Sequence, residues 1–95
     1  MPKVVREGDK NNAGGKVLKG NSNFIVDGKP VSVDGSPVSA HRPFKKPHKP
    51  NGAPKTANGT RKFLVDGIPV NVVGDKDTCK HTRAEGSPNF YIAKD

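Results

Sequence analysis

The chain has no tryptophan, one tyrosine, one methionine and one cysteine in 95 residues. A single thiol excludes an internal disulfide and gives no sign of an oxidising compartment. Long apolar runs are missing as well. Stretches such as Phe24-Ile25-Val26 and Phe63-Leu64-Val65 are three residues long, against the ~20 that cross a bilayer as a helix. The N-terminus, Met1-Pro2-Lys3-Val4-Val5-Arg6-Glu7, lacks the apolar core and cleavage site of a signal peptide, so export would need other machinery. No window places apolar residues at helical spacing, and Gly or Pro interrupts almost every stretch of ten, which excludes appreciable helix. Leu, Ile, Val and Phe supply 20 residues, and Gly with Pro another 20, at the edge of the disordered range. One small domain, 1–95, is expected, with a core that needs metal or assembly to hold it.

Catalytic signatures are absent too: there is no His-Glu-x-x-His, no Gly-x-Ser-x-Gly and no phosphate-binding loop. The expectation is a non-enzyme. Hydrolytic chemistry would return only if a bound zinc kept one position open, with Asp75, Asp77 or Glu85 as base.

What is abundant is positive charge, +8 net, which attracts nucleic acid, anionic lipid, lipopolysaccharide or an acidic protein face. Much of it lies in residues 42–62, where Arg42, Lys45, Lys46, Lys49, Lys55, Arg61 and Lys62 meet no acidic residue and four prolines are interleaved. Phe44 is the one aromatic there, a poor stacking platform for bases. A solvated basic, proline-rich loop is expected. The competing reading is a basic, zinc-stabilised nucleic-acid-binding module.

The chain also repeats itself. Gly20-Asn21-Ser22-Asn23-Phe24-Ile25-Val26-Asp27-Gly28-Lys29-Pro30-Val31-Ser32-Val33 returns 39 residues later as Gly59-Thr60-Arg61-Lys62-Phe63-Leu64-Val65-Asp66-Gly67-Ile68-Pro69-Val70-Asn71-Val72. Gly8-Asp9-Lys10, Gly20 and Asn23-Phe24 return 66 residues later as Gly74-Asp75-Lys76, Gly86 and Asn89-Phe90. About three imperfect units, the last one incomplete, imply an approximate threefold axis in one polypeptide. Asp27-Gly28 and Asp66-Gly67 between β-formers predict two tight hairpins. Pairing across each turn sets Val26 opposite Lys29, Ile25 opposite Pro30 and Phe24 opposite Val31. Phe24, Val26, Val31 and Val33 then share one face with Phe63, Val65, Val70, Val72, Phe90 and Ile92, while Ile25, Leu64 and Tyr91 occupy the other. Pro30 and Pro69 keep the strands short. The fold class is all-β, narrow and three-sided.

His41 and His48 follow the first hairpin; Cys79 and His81 follow the second. In a threefold wrap both connections leave toward the same end. One thiolate and three imidazoles complete a tetrahedral zinc set, and iron accepts the same donors. The alternative is four scattered surface groups, since no Cys-x-x-Cys strengthens the metal case. What favours metal is need, because a structural zinc contributes ~10 kcal/mol or more to folding in small domains. The third connection, Asn11-Asn12-Ala13-Gly14-Gly15, offers no ligand.

The unit "Gly-Asp, Gly-Ser or Gly-Asn, strand, Asp-Gly-x-Pro" is carried by Gly8-Asp9, Gly20-Asn21, Asp27-Gly28-Lys29-Pro30, Asp66-Gly67-Ile68-Pro69, Gly74-Asp75 and Gly86-Ser87. It resembles the proteins named for Pro-Ala-Ala-Arg (PAAR) repeats, the sharp tips of contractile injection machines. The eponymous tetrapeptide reads Pro30-Val31-Ser32-Val33 and Pro69-Val70-Asn71-Val72, and with its small size the chain is similar to spike tips of T4-like contractile phage tails. The resemblance implies a pseudo-threefold cone with zinc near its apex, held by His41, His48, Cys79 and His81. It implies a trimeric β-helical spike partner, VgrG-like or a phage tail spike, capped by one monomer. It further implies transient contact with a host outer membrane, no nucleic acid or small-molecule substrate, and residence at the baseplate spike tip of a virion, or else export by a type VI-like secretion apparatus. With fewer than ten residues before the first repeat, a bare tip without its own effector is expected. Either Ile25, Leu64 and Tyr91 or Phe24, Phe63 and Phe90 would face the spike.

Overall fold

The computed structural model describes residues 1–39 and 54–94; the expected ligands His41 and His48 lie outside the described residues, as does most of the basic segment. Among the described residues there are strands and isolated bridges and no helix. Two antiparallel hairpins stand where the Asp-Gly pairs predict them: β1 (Asn21–Val26) with β2 (Lys29–Val31), and β3 (Thr60–Val65) with β4 (Ile68–Val70). Both turn residues are left-handed in each, with φ of 51° and 78° at Asp27 and Gly28 and 53° and 76° at Asp66 and Gly67. That conformation matches the strand twist. Because β3 begins at Thr60, Arg61 and Lys62 are strand residues, not part of a loop running to residue 62.

Pairing next to the turns follows expectation, with Val26 opposite Lys29 and Ile25 opposite Pro30. One step further it departs: Asn21, not Phe24, faces Val31, and Thr60, not Phe63, faces Val70. The cause is local. The side-chain oxygens of Asn21, Thr60 and Ser87 accept the backbone N–H two residues ahead, at 2.8, 3.2 and 3.0 Å, and β1 and β3 bulge there. After these three matching turns of backbone, Phe24, Phe63 and Phe90 come together, ring centroids 5.1, 5.7 and 6.0 Å apart.

The third unit, incomplete in sequence, is completed by the opposite end of the chain. Lys3 bridges Tyr91, the Val4 N–H donates to Phe90 O at 3.0 Å, and the Ile92 N–H donates to Pro2 O at 3.1 Å. The threefold axis is then visible as a closed backbone ring. Val5 donates to Asn71 O (3.0 Å), Asn71 to Ser32 O (2.9 Å) and Ser32 to Val5 O (2.9 Å). All three residues are fully buried, where an unpaired amide would cost about 1–3 kcal/mol.

Beneath the ring, Val4, Val26, Val31, Val33, Val65, Val70, Val72 and Ile92 form the core, with the three phenylalanines and Ile68 packed against it. This is the apolar face expected from alternation. The recurring Gly-Asp has a specific task. Asp9 and Asp75 carboxylates accept the N–H three residues back, from Arg6 and Val72, and Ser36 does the same for Val33. Gly35-Ser36 is therefore the second copy of the motif, hidden in the sequence by the change of residue.

Neighbouring units are latched near the hairpin turns. The Asp27 carboxylate accepts from Ser87 Oγ and Asn89, and Asp66 accepts from Asn21 and Asn23. The Ser87 and Asn89 bonds hold the Asp27 carboxyl below its usual range, and the Asn21 and Asn23 bonds do the same for Asp66. A depressed carboxylate pKa contributes stability that is present above the unfolded value, near 3.8, and lost as pH falls through the folded value. The Asp27→Asn/Asp66→Asn protein should therefore show a flatter acid limb below pH ~4 than the parent in thermal melts, with little change in slope at neutral pH.

Candidate functional site

Two ends of the molecule carry unusual chemistry. At the end formed by the hairpins, Ile25 and Leu64 are each 51% exposed and Tyr91 is 44% exposed. These three are the expected partner-facing set, at equivalent places in the three units. The phenylalanines are half-buried, packed on one another and on the core.

The other end is built by three connections. Their necks are closed by the bridges Lys10 with Lys16, Pro37 with Lys55 and Lys76 with Thr82. A second cyclic set of bonds ties them together: Asn12 N–H to Thr82 O (2.8 Å), Ser39 N–H to Lys16 O (2.8 Å) and Thr78 N–H to Lys55 O (2.9 Å). Residues 11–15 and 77–81 are matching tight turns, closed by Asn11 N–H to Gly15 O at 2.9 Å and Asp77 N–H to His81 O at 2.8 Å. They reverse at Gly14 (φ 86°) and Lys80 (φ 71°). The third neck closes with the Val38 N–H on Pro54 O at 3.0 Å, so the chain enters and leaves the segment holding His41 and His48 at this same end.

Here the structure brings Cys79 and His81 together, with Sγ 3.6 Å from Nδ1. Two donors at about 2.3 and 2.0 Å from a tetrahedral zinc lie ~3.5 Å apart, so the pair has the spacing of one edge of such a site. Cys79 is buried, which pushes its thiol up; a cation beside it would oppose that. Among the described residues no group of three or more His, Cys, Asp or Glu surrounds a common point. Ala13 and Gly15 stand where Cys79 and His81 stand, as the alignment of the ligand-free connection predicts.

The carboxylates considered as bases are all engaged. Asp75 accepts from Lys94 and Val72 N–H, Asp77 from Arg83 and Asn11, and Glu85 from Lys10 N–H. Sequence reading missed two buried arginines. Arg6 forks onto Asp9 at 3.0 and 3.0 Å, and Arg83 is fully buried against Asp77 at 2.9 Å. The signal was available for Arg83: an offset of 66 aligns it with Val17, so a charge occupies an apolar slot.

The described residues thus form a three-sided β-structure with three equivalent exposed apolar side chains at one end and a cysteine–histidine pair among bundled turns at the other. The family model described as the PAAR motif matches residues 7–79, and the chain belongs to that family. The family is a structural one, found on the tips of VgrG-type spikes. No curated protein matches the chain.

Proposed function

We propose that the chain is the non-enzymatic tip of a membrane-piercing spike, one copy capping the trimeric β-helical spike of a contractile phage tail baseplate. The observation that carries this is the closed ring through Val5, Ser32 and Asn71, which gives one chain the symmetry of its partner. A trimeric β-helix ends in three equivalent strand edges, and a single molecule meets all three only if its own surface repeats around the same axis. Ile25, Leu64 and Tyr91 supply the apolar contacts, with the phenylalanine triangle at the centre.

Zinc fits the opposite end, with Cys79 and His81 as one edge of the site and His41 and His48 as the remaining donors; iron suits the same set. Bound metal would supply rigidity, holding the turns where too few side chains fit to pack a core. A stiff narrow point concentrates the force of sheath contraction on a small area of outer membrane. Among the described residues, exposed Lys10, Lys16, Lys55, Lys76 and Lys80 surround this end, against one exposed acid, Glu85, which suits brief contact with an anionic surface. The same demands apply to a type VI secretion tip, the alternative setting. Those lysines also favour a second reading, a nucleic-acid-binding module, whose affinity would fall steeply with salt.

Leu64→Glu tests the capping surface. A carboxylate within a docked apolar patch should weaken capture by the trimeric spike at least ~100-fold, leaving metal content and melting temperature near those of the parent. Undiminished capture would remove this face from the interface.

A further inference from the structure

Position 83 is where the pseudo-symmetry breaks most sharply. The equivalent residues of the other two units are Val17 and Thr56, both buried, and Arg83 is buried completely. Its guanidinium does not stay within its own unit. Nη2 donates to Gly15 O at 2.9 Å and to Asp77 Oδ2 at 2.9 Å, and Nη1 donates to Asp9 O at 3.2 Å. Asn11 Nδ2 donates to the same Asp77 oxygen at 2.9 Å, while Asn11 Oδ1 accepts the N–H groups of Ala13 and Gly15 at 2.9 and 2.8 Å. The side chains of Asp77 and Arg83 have no solvent exposure.

The stability argument for this arrangement is weak. Two buried charges lose their hydration, and an apolar pair of similar volume commonly does as well or better. Val17 and Thr56 show that uncharged residues fill this slot in the same fold. What the charged version adds is direction. Asp77 opens the turn that carries Cys79 and His81: its N–H donates to His81 O, and its carbonyl accepts the Lys80 N–H at 2.8 Å. Fixing the Asp77 carboxylate from two sides fixes the start of that turn, and the anchors lie in the matching turn of another unit.

We infer that Arg83, with Asn11, is a positioning residue for the Cys79–His81 pair, locking the 77–81 turn to the 11–15 turn so that both donors are set before a metal arrives. This rests on the proposed reading of that pair as metal ligands. The clamp acts on the turn that carries the donors, and losing a group that orients metal ligands costs typically 10–100-fold in metal affinity.

The test is a titration of purified full-length protein with Co2+, read by its visible and thiolate charge-transfer absorption, with Zn2+ competition for affinity. Parent protein is compared with Arg83→Lys, which keeps the charge and loses the fork, and with Arg83→Val/Asp77→Leu, which removes both buried charges and so retains a packed interior. Both variants should bind Zn2+ about 10–100-fold more weakly than the parent, with weakened or shifted thiolate-to-cobalt absorption and an unchanged far-ultraviolet spectrum. Variants that match the parent in affinity and cobalt spectrum, whatever their melting temperatures, would overturn the inference while leaving the metal reading intact. A folded parent that takes up neither ion overturns both.

Discussion

Purified Cys79→Ser protein is expected to carry roughly a tenth of an equivalent of zinc or less where the parent carries one, and to melt ~20 °C lower. The reasoning starts from the thin interior. The apolar cluster consists of six valines, one isoleucine and Val4 at the edge where the chain ends meet, together with half-buried phenylalanines. At the far end Val17, Val38 and Cys79 are buried outside that cluster, and what joins the three connections there is hydrogen bonding, between backbones and through side chains such as Asn11 to Asp77 and Arg83 to Gly15 O. A serine at position 79 is close to cysteine in size and cannot serve as a thiolate ligand, so most of the loss would come from the metal rather than from packing. Elemental mass spectrometry and calorimetry on the two proteins read both halves of the expectation. A folded, metal-free parent as stable as the variant would contradict the proposed metal site and favour the basic binding module.

The second large effect is steric. Gly20, Gly59 and Gly86 stand at equivalent places, each against the backbone of a strand. A Cβ on Gly20 would lie 2.6 Å from both Pro30 O and Val31 O, and one on Gly59 would lie 2.9 Å from Pro69 O and Val70 O. These carbonyls have no room to give. Pro30 O accepts the Glu7 N–H at 2.8 Å and Pro69 O accepts the Asp34 N–H at 2.9 Å, and both bonds join one unit to the next. Gly20→Ala should therefore destabilise by about 3 kcal/mol or more, at the upper end of overpacking effects. Gly28→Ala is the control. It sits in a hairpin turn at φ 78° with nothing within 4 Å, so only the left-handed backbone is penalised, by ~1 kcal/mol. Urea melts of the two variants should differ accordingly; equal losses would mean that the close approach is not what the glycine serves.

Much of this architecture was legible because the repeats carry their own signals. Asp-Gly marks both hairpin turns, and strict alternation places Val26, Val31, Val33, Val65, Val70 and Val72 inside. The bulge was not legible. It depends on Asn21, Thr60 and Ser87 bonding their own backbone, and three different residue types conceal one shared role. Gly35-Ser36 escaped for the same reason, a serine standing where Asp9 and Asp75 stand. The join between residues 2–4 and 90–92 has no local pattern at all, since closing a threefold wrap with the two chain ends is a property of the whole fold. Among the bundled turns, Cys79 and His81 were visible as residue types in one connection, whereas Arg83 became meaningful only once its partners in another unit were in place. His41 and His48 remain candidates on residue type and on where their segment enters and leaves.

The central claim is that one chain matches three. Native mass spectrometry of the protein co-expressed with the trimeric spike of its own system tests it most directly. One chain per spike trimer, with a single zinc ion retained, is the predicted mass. Three chains per trimer, or no complex between the two, would contradict the account, because a surface that repeats around its own axis has room on a threefold spike for one copy alone.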